Sequence, residues 1–161
     1  MISRYRSSGD GRRRYIHLER GALHGLTPGC RVAPGRALFV CTHNSARSQL
    51  AAALWQRTTG QPAVSAGTHP APTVHPGAVA SAERAGLDLS GAQPHHLDAI
   101  GEWPKLVITV CDRAHEELGD GTDHLHWSIP DPVPVGTRKA FDTARNEIAQ
   151  RIDELVAEPT P

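Results

Sequence analysis

Eight consecutive residues, Cys41-Thr42-His43-Asn44-Ser45-Ala46-Arg47-Ser48, combine a nucleophile, a short polar run and a guanidinium. The spacing predicts a loop over Thr42 to Ala46 whose backbone N–H groups turn inward as an anion-binding nest. The N-terminus of a following helix would add its partial positive charge. Amide donors and the Arg47 guanidinium then favour the Cys41 thiolate over the thiol, and Ser48 can hydrogen-bond the sulfur. Arg47 also offers a planar fork that matches two oxygens of a tetrahedral oxyanion. The chemistry expected is attack by sulfur on an oxyanion centre held in a cradle. The loop lacks glycine, so some residue must accept left-handed backbone, and Asn44 is the expected one.

Such a loop needs a rigid strand before it and a helix after it. Ala37-Leu38-Phe39-Val40-Cys41 is a continuous apolar run of the kind buried parallel strands show. Arg47 to about Thr59 is rich in Ala and Leu and stops before Gly60, which predicts a helix. Further along, strands are predicted at Ala63–Ala66, at the β-branched run Leu106–Cys111, and at Leu125-His126-Trp127. A helix is predicted from His75 to about Ala85, with Pro76 in its first turn. Ser128 to Gly136 contains three prolines and reads as a loop. From about Thr137 to Val156, Phe141, Ala144, Ile148, Ile152 and Leu155 recur at three- and four-residue steps, which predicts an amphipathic helix. Alternating strands and helices predict an α/β domain with a four-stranded parallel sheet and helices on both faces.

The chain has 161 residues, enough for one domain with a core. Its 17 Lys plus Arg balance 17 Asp plus Glu, which argues against a general nucleic-acid binder. The balance conceals an asymmetry. Residues 1–36 carry eight arginines against Asp10 and Glu19, and the remainder is correspondingly acidic. The expected organisation is a basic extension over 1–36, mobile or loosely packed, followed by the domain at 37–161. No apolar run is long enough for a membrane span or a secretory signal. Three widely spaced cysteines (Cys30, Cys41 and Cys111) form no disulfide framework. A cytoplasmic protein with reduced thiols is therefore expected. His124 and His126 alternate on a predicted strand but lack a third ligand, so no metal site is expected. His95 and His96 are likewise read as surface residues.

LFVCTHNSARSQLAAALW resembles the catalytic loop and first helix of the superfamily that joins low-molecular-weight protein-tyrosine phosphatases to arsenate reductases. Ser65-Ala66-Gly67-Thr68, VHPGAVASAERAGLDLSG, VITVCDRAHEEL and HWSIPDP follow in the family's order. The resemblance covers roughly residues 37–156. It implies that Cys41 is the nucleophile, that Arg47 and the Thr42–Ala46 loop bind the oxyanion, and that Asp131 of the Asp-Pro turn protonates a leaving group.

Within that superfamily the details lean toward reduction. Ser48 is followed by Gln49, as in the reductases, where phosphatases usually carry proline. Val133 and Pro134 stand where phosphatases have two tyrosines, and Thr42 and His43 are polar where phosphatases favour an apolar residue. A small inorganic anion needs no aromatic walls, whereas phosphotyrosine draws affinity from them. Cys111 stands where thioredoxin-coupled reductases have their first resolving cysteine, but Leu118 replaces the second. The glutamate of potassium-binding reductases is Ala52 here. The leading expectation is a thiol-dependent arsenate reductase with side phosphatase activity. It would hold no tight cofactor and would draw electrons from an external thiol such as mycothiol, glutathione or the thioredoxin system. One alternative is a tyrosine phosphatase acting on aryl phosphates through a phosphocysteine. Another is a non-catalytic module that binds oxyanions or a partner protein.

Overall fold

The computed structural model describes residues 2–18 and 32–156. Along the chain it contains β1 (Ile2–Arg6), β2 (Arg14–Leu18), β3 (Ala37–Cys41), α1 (Arg47–Thr59), β4 (Ala63–Gly67) and α2 (Pro76–Arg84). A 3₁₀ turn at Leu97–Ala99 leads to β5 (Leu106–Thr109), α3 (Asp112–Leu118), β6 (Leu125–His126), α4 (Pro132–Val135) and α5 (Arg138–Val156).

The predicted four-stranded parallel sheet is present, in the order β4-β3-β5-β6. From the centre the chain winds outward to β4, returns to β5 and continues to β6. Right-handed crossovers in opposite directions place α1 and α3 on opposite faces of the sheet. β3 stands at that reversal, where loops diverge and open a cleft at the carboxyl ends of the strands. All five of its residues are buried, which explains its unbroken apolar run.

Phe39 packs against Trp55 and Trp127, with ring centres 5.9 and 6.1 Å apart. On the α1 side, α5 lies against α1 and α2, burying the predicted stripe of Phe141, Ala144, Ile148, Ile152 and Leu155. Two of the sequence expectations need correction. The proline-rich stretch holds one helical turn, α4. Asp131 accepts the Val133 N–H at 3.1 Å, Pro132 takes the first helical position, and Gly136 ends the turn at φ 69°.

The second correction concerns the basic extension. Over residues 2–18 it is an antiparallel hairpin, β1 paired with β2, and it is bonded to α3. Tyr5 stacks on Tyr15 at 5.9 Å on the inner face, while Arg4, Arg6, Arg14 and Ile16 face outward. Cys30 and the rest of 19–31 lie outside the described residues. No helix among the described residues is long and apolar enough to cross a membrane.

Candidate active site

The loop after β3 has the geometry expected of it, and the reason lies in its carbonyl groups. Those of Cys41, Thr42, His43 and Ser45 accept the N–H groups of Thr68, His69, Ala71 and His75 at 2.8–3.2 Å. The Asn44 carbonyl accepts Gln49 Nε2 at 3.0 Å. In a trans peptide N–H points away from C=O, so turning the carbonyls out toward residues 68–75 turns the amides in. The Asn44 N–H accordingly donates to Cys41 Sγ at 3.1 Å. Gly67 permits this approach, because a Cβ there would stand 2.7 Å from the Thr42 carbonyl oxygen.

Asn44 adopts the left-handed conformation, φ 49°, as expected. Its side chain fixes the rest of the loop. Nδ2 donates to Ser48 Oγ at 2.7 Å and to Ser65 Oγ at 2.9 Å, while Oδ1 accepts the His95 N–H at 2.8 Å. Because Ser48 accepts from Asn44, its own hydroxyl hydrogen is free to point at Cys41 Sγ, 3.0 Å away. The sulfur thus sits between an amide and a hydroxyl donor at the bottom of the loop. Ala46 begins α1 without a side-chain cap, and no acidic residue occupies the first turn. That helix end is open to an anion rather than neutralised by the protein.

Arg47 is nearly buried. Nη1 donates to the Ile129 carbonyl at 2.9 Å and Nη2 pairs with Asp131 Oδ2 at 3.1 Å. The guanidinium therefore ties the loop to the Asp-Pro turn and sets the Asp131 carboxylate against the cradle. Thr42, Asn44, Ser45 and Ala46 are buried with the sulfur, while His43 is exposed.

Cys111, 1% exposed, ends the segment after β5, and its Sγ lies 3.4 Å from Thr42 Oγ1. Burial pushes its thiol up, opposed in part by the Arg47 guanidinium, and the Cys41 sulfur pushes the same way as burial. Cys41, Arg47 and Cys111 therefore share one electrostatic neighbourhood. His124 and His126 are not simple surface residues. His115 Nδ1 and His124 Nε2 are 2.7 Å apart, and the His115 ring stacks on His126 at 4.1 Å. Among the described residues no group of three or more metal-ligating side chains could hold a metal ion.

Several supporting residues are not identified by the sequence patterns. Gln49 bonds Asn44 and also donates to the Gln93 carbonyl at 3.0 Å. Ser65 and His95 hold the Asn44 side chain from the next strand and a distant turn. The Gln after Arg-Ser was the one available signal for Gln49. Contacts spanning 21 and 51 residues leave none for Ser65 and His95.

A thiol held by a loop amide and a serine hydroxyl at an uncapped helix start, beside a buried arginine paired with a carboxylate, is the arrangement of a cysteine-dependent enzyme acting on tetrahedral oxyanions. The chain belongs to the family described as low molecular weight phosphotyrosine protein phosphatase, whose model matches residues 36–159. An arsenate reductase of Brevibacillus brevis is 32% identical over 123 residues, 73% of this chain and 90% of that protein. The crystal structure of arsenate reductase from Archaeoglobus fulgidus superposes with a TM-score of 0.67 at 29% identity, covering 76% of this chain and 99% of the other. A thioredoxin-dependent arsenate reductase of Corynebacterium glutamicum aligns at TM-score 0.57 and 29% identity, covering 80% of this chain and 62% of that one.

Proposed function

We propose that this chain is a thiol-dependent arsenate reductase. The observation that carries the proposal is the Cys41 sulfur, held by the Asn44 amide and facing the Ser48 hydroxyl at the base of an uncapped helix terminus. Arsenate binds on the loop amides of Thr42–Ala46 and on the Arg47 fork. The Cys41 thiolate attacks arsenic, and an arsenate hydroxyl leaves as water after taking one further proton, from Asp131 or from solvent. The product is a Cys41–S–As(V) adduct. An external thiolate then attacks the Cys41 sulfur and forms a mixed disulfide. The S–As electron pair departs with arsenic as arsenite, so As(V) gains the two electrons that the two sulfurs lose. A second external thiol releases Cys41 by thiol–disulfide exchange.

Being related to arsenate reductases supports a thiol reductant in general. Among specific donors, mycothiol or glutathione fits this chain better than an internal relay, because Leu118 provides no thiol on α3. The Arg47–Asp131 pair also suits a second activity, hydrolysis of aryl phosphates through a phosphocysteine. There Asp131 would protonate the phenolic oxygen.

Steady-state assays separate these readings. Arsenite formation is measured with thioredoxin, mycothiol and glutathione systems, beside hydrolysis of an aryl phosphate. Thiol-supported arsenite formation that disappears in Cys41→Ser is the expected result. Aryl phosphate turnover with no arsenite from any thiol overturns the ranking. Anion binding with no turnover of either substrate leaves the non-catalytic module. Asp131→Asn is expected to slow aryl phosphate hydrolysis about 10²–10⁴-fold and arsenate attack far less, because an arsenate hydroxyl can take its proton from solvent whereas a phenolic oxygen needs a positioned acid.

A further inference from the structure

Residues 2–18 precede the family match at 36–159, yet they are bonded to the segment that carries the second buried thiol. At the hairpin turn, the Ser8 N–H donates to Asp112 Oδ2 at 2.9 Å and the Asp10 N–H donates to Glu116 Oε2 at 2.8 Å. The hydroxyls of Ser7 and Tyr15 both donate to Glu116 Oε1. Both acceptors stand on α3, and Asp112 directly follows Cys111. The fit is close, since a Cβ on Gly9 would lie 2.9 Å from Arg113 Cα.

Asp112 is also held from the opposite side. His126 Nε2 lies 3.2 Å from Oδ1, and the Ser128 hydroxyl donates to the same oxygen. The Tyr15 ring covers this group, 5.3 Å from the centre of His126. Cys111 is buried directly before Asp112, at the start of the helix to which the hairpin is bonded.

We propose that the N-terminal hairpin is a clamp on α3 that keeps Cys111 out of the reaction, so that the thiol resolving the Cys41–arsenic adduct comes from outside the chain. The proposal rests on the reductase reading and specifies its co-substrate: a small thiol that attacks Cys41 sulfur and leaves it as a mixed disulfide. Burial reinforces the clamp by pushing the Cys111 thiol up, which disfavours its thiolate.

The test uses the full chain carrying Cys30→Ser, so that Cys41 and Cys111 are its only thiols. Gly9→Val crowds the turn off α3. Glu116→Ala removes the acceptor of three donors without crowding. Iodoacetamide labelling of Cys111, read by peptide mass mapping, is expected to run at least about tenfold faster in each variant, the factor for losing a single hydrogen bond to a charged group. The Cys30→Ser parent is expected to release arsenite only when glutathione or dithiothreitol is added. Unchanged labelling in both variants overturns the clamp. So does arsenite release from the parent without added thiol, with a Cys41–Cys111 disulfide. Labelling reads the clamp whether or not the chain reduces arsenate. Absence of arsenite with every added thiol therefore overturns the reductase reading alone.

Discussion

Arg47 divides its terminal nitrogens between the Ile129 carbonyl and the Asp131 carboxylate, which makes it the joint between two loops and, on the proposed reading, an anion ligand as well. A lysine carries the charge but lacks the fork, and it cannot reach two acceptors in different directions. Arg47→Lys is therefore expected to lower kcat/KM for arsenate and for aryl phosphate by about 10²–10³-fold, as removal of a transition-state donor does elsewhere. Steady-state kinetics on both substrates checks this, and a loss confined to one of them would contradict a shared cradle. The placement of Cys41, Arg47 and Ser48 was legible because it is local: strand, five-residue turn and helix start fix their separation. Gln49, Ser65 and His95 act on the same loop through hydrogen bonds, two of them from far along the chain, which no residue pattern encodes.

The elements show the same division between near and far. The apolar run at 37–41 and the Ala-rich stretch at 47–59 matched β3 and α1 residue for residue, because each has one dominant periodicity and a clear stop. The stripe of α5 was equally plain, and it carries much of the core. Ile148 is fully buried there, so Ile148→Ala should cost about 2–5 kcal/mol through lost burial and a residual cavity. Urea unfolding measures that loss, while kcat per folded molecule should hold, since the bonds that shape the cradle come from residues outside α5. The hairpin at 2–18 went unread for a physical reason. Its alternation, Arg4-Tyr5-Arg6 and Arg14-Tyr15-Ile16 around Gly9-Asp10-Gly11, is the period of a strand, but the outer positions are mostly arginine and the run looks like solvated charge. Among the described residues, the acidic α3 supplies acceptors from outside the hairpin that hold the turn in place.

For the molecule as a whole, that docking predicts a pH dependence. Burial pushes the Asp112 carboxyl up, but bonds from His126, Ser128 and the Ser8 amide outweigh it and bring it down to about 2. An unfolded aspartate titrates near about 3.9. The unfolded chain binds the proton first, so the stability from Asp112 is full above about pH 4 and is lost as pH falls toward about 2. Thermal unfolding across that window should show a shallower acid decline in Asp112→Asn than in the parent. An identical slope would mean that Asp112 is not held as the structure holds it.

The order of residues along the chain determined a strand–loop–helix unit with sulfur, amides and guanidinium in working sequence, and with it the α/β architecture and the class of chemistry. Neighbours within one turn or strand are constrained by backbone geometry alone, so their relation survives in the linear text. Folding in space decided which side chains brace the cradle, that the basic N-terminal segment covers α3 and not open solvent, and that Cys111 is enclosed beside Thr42. Those outcomes depend on the meeting of groups more than twenty residues apart, and chain closure over such distances is settled by packing and hydrogen-bond satisfaction across the whole domain.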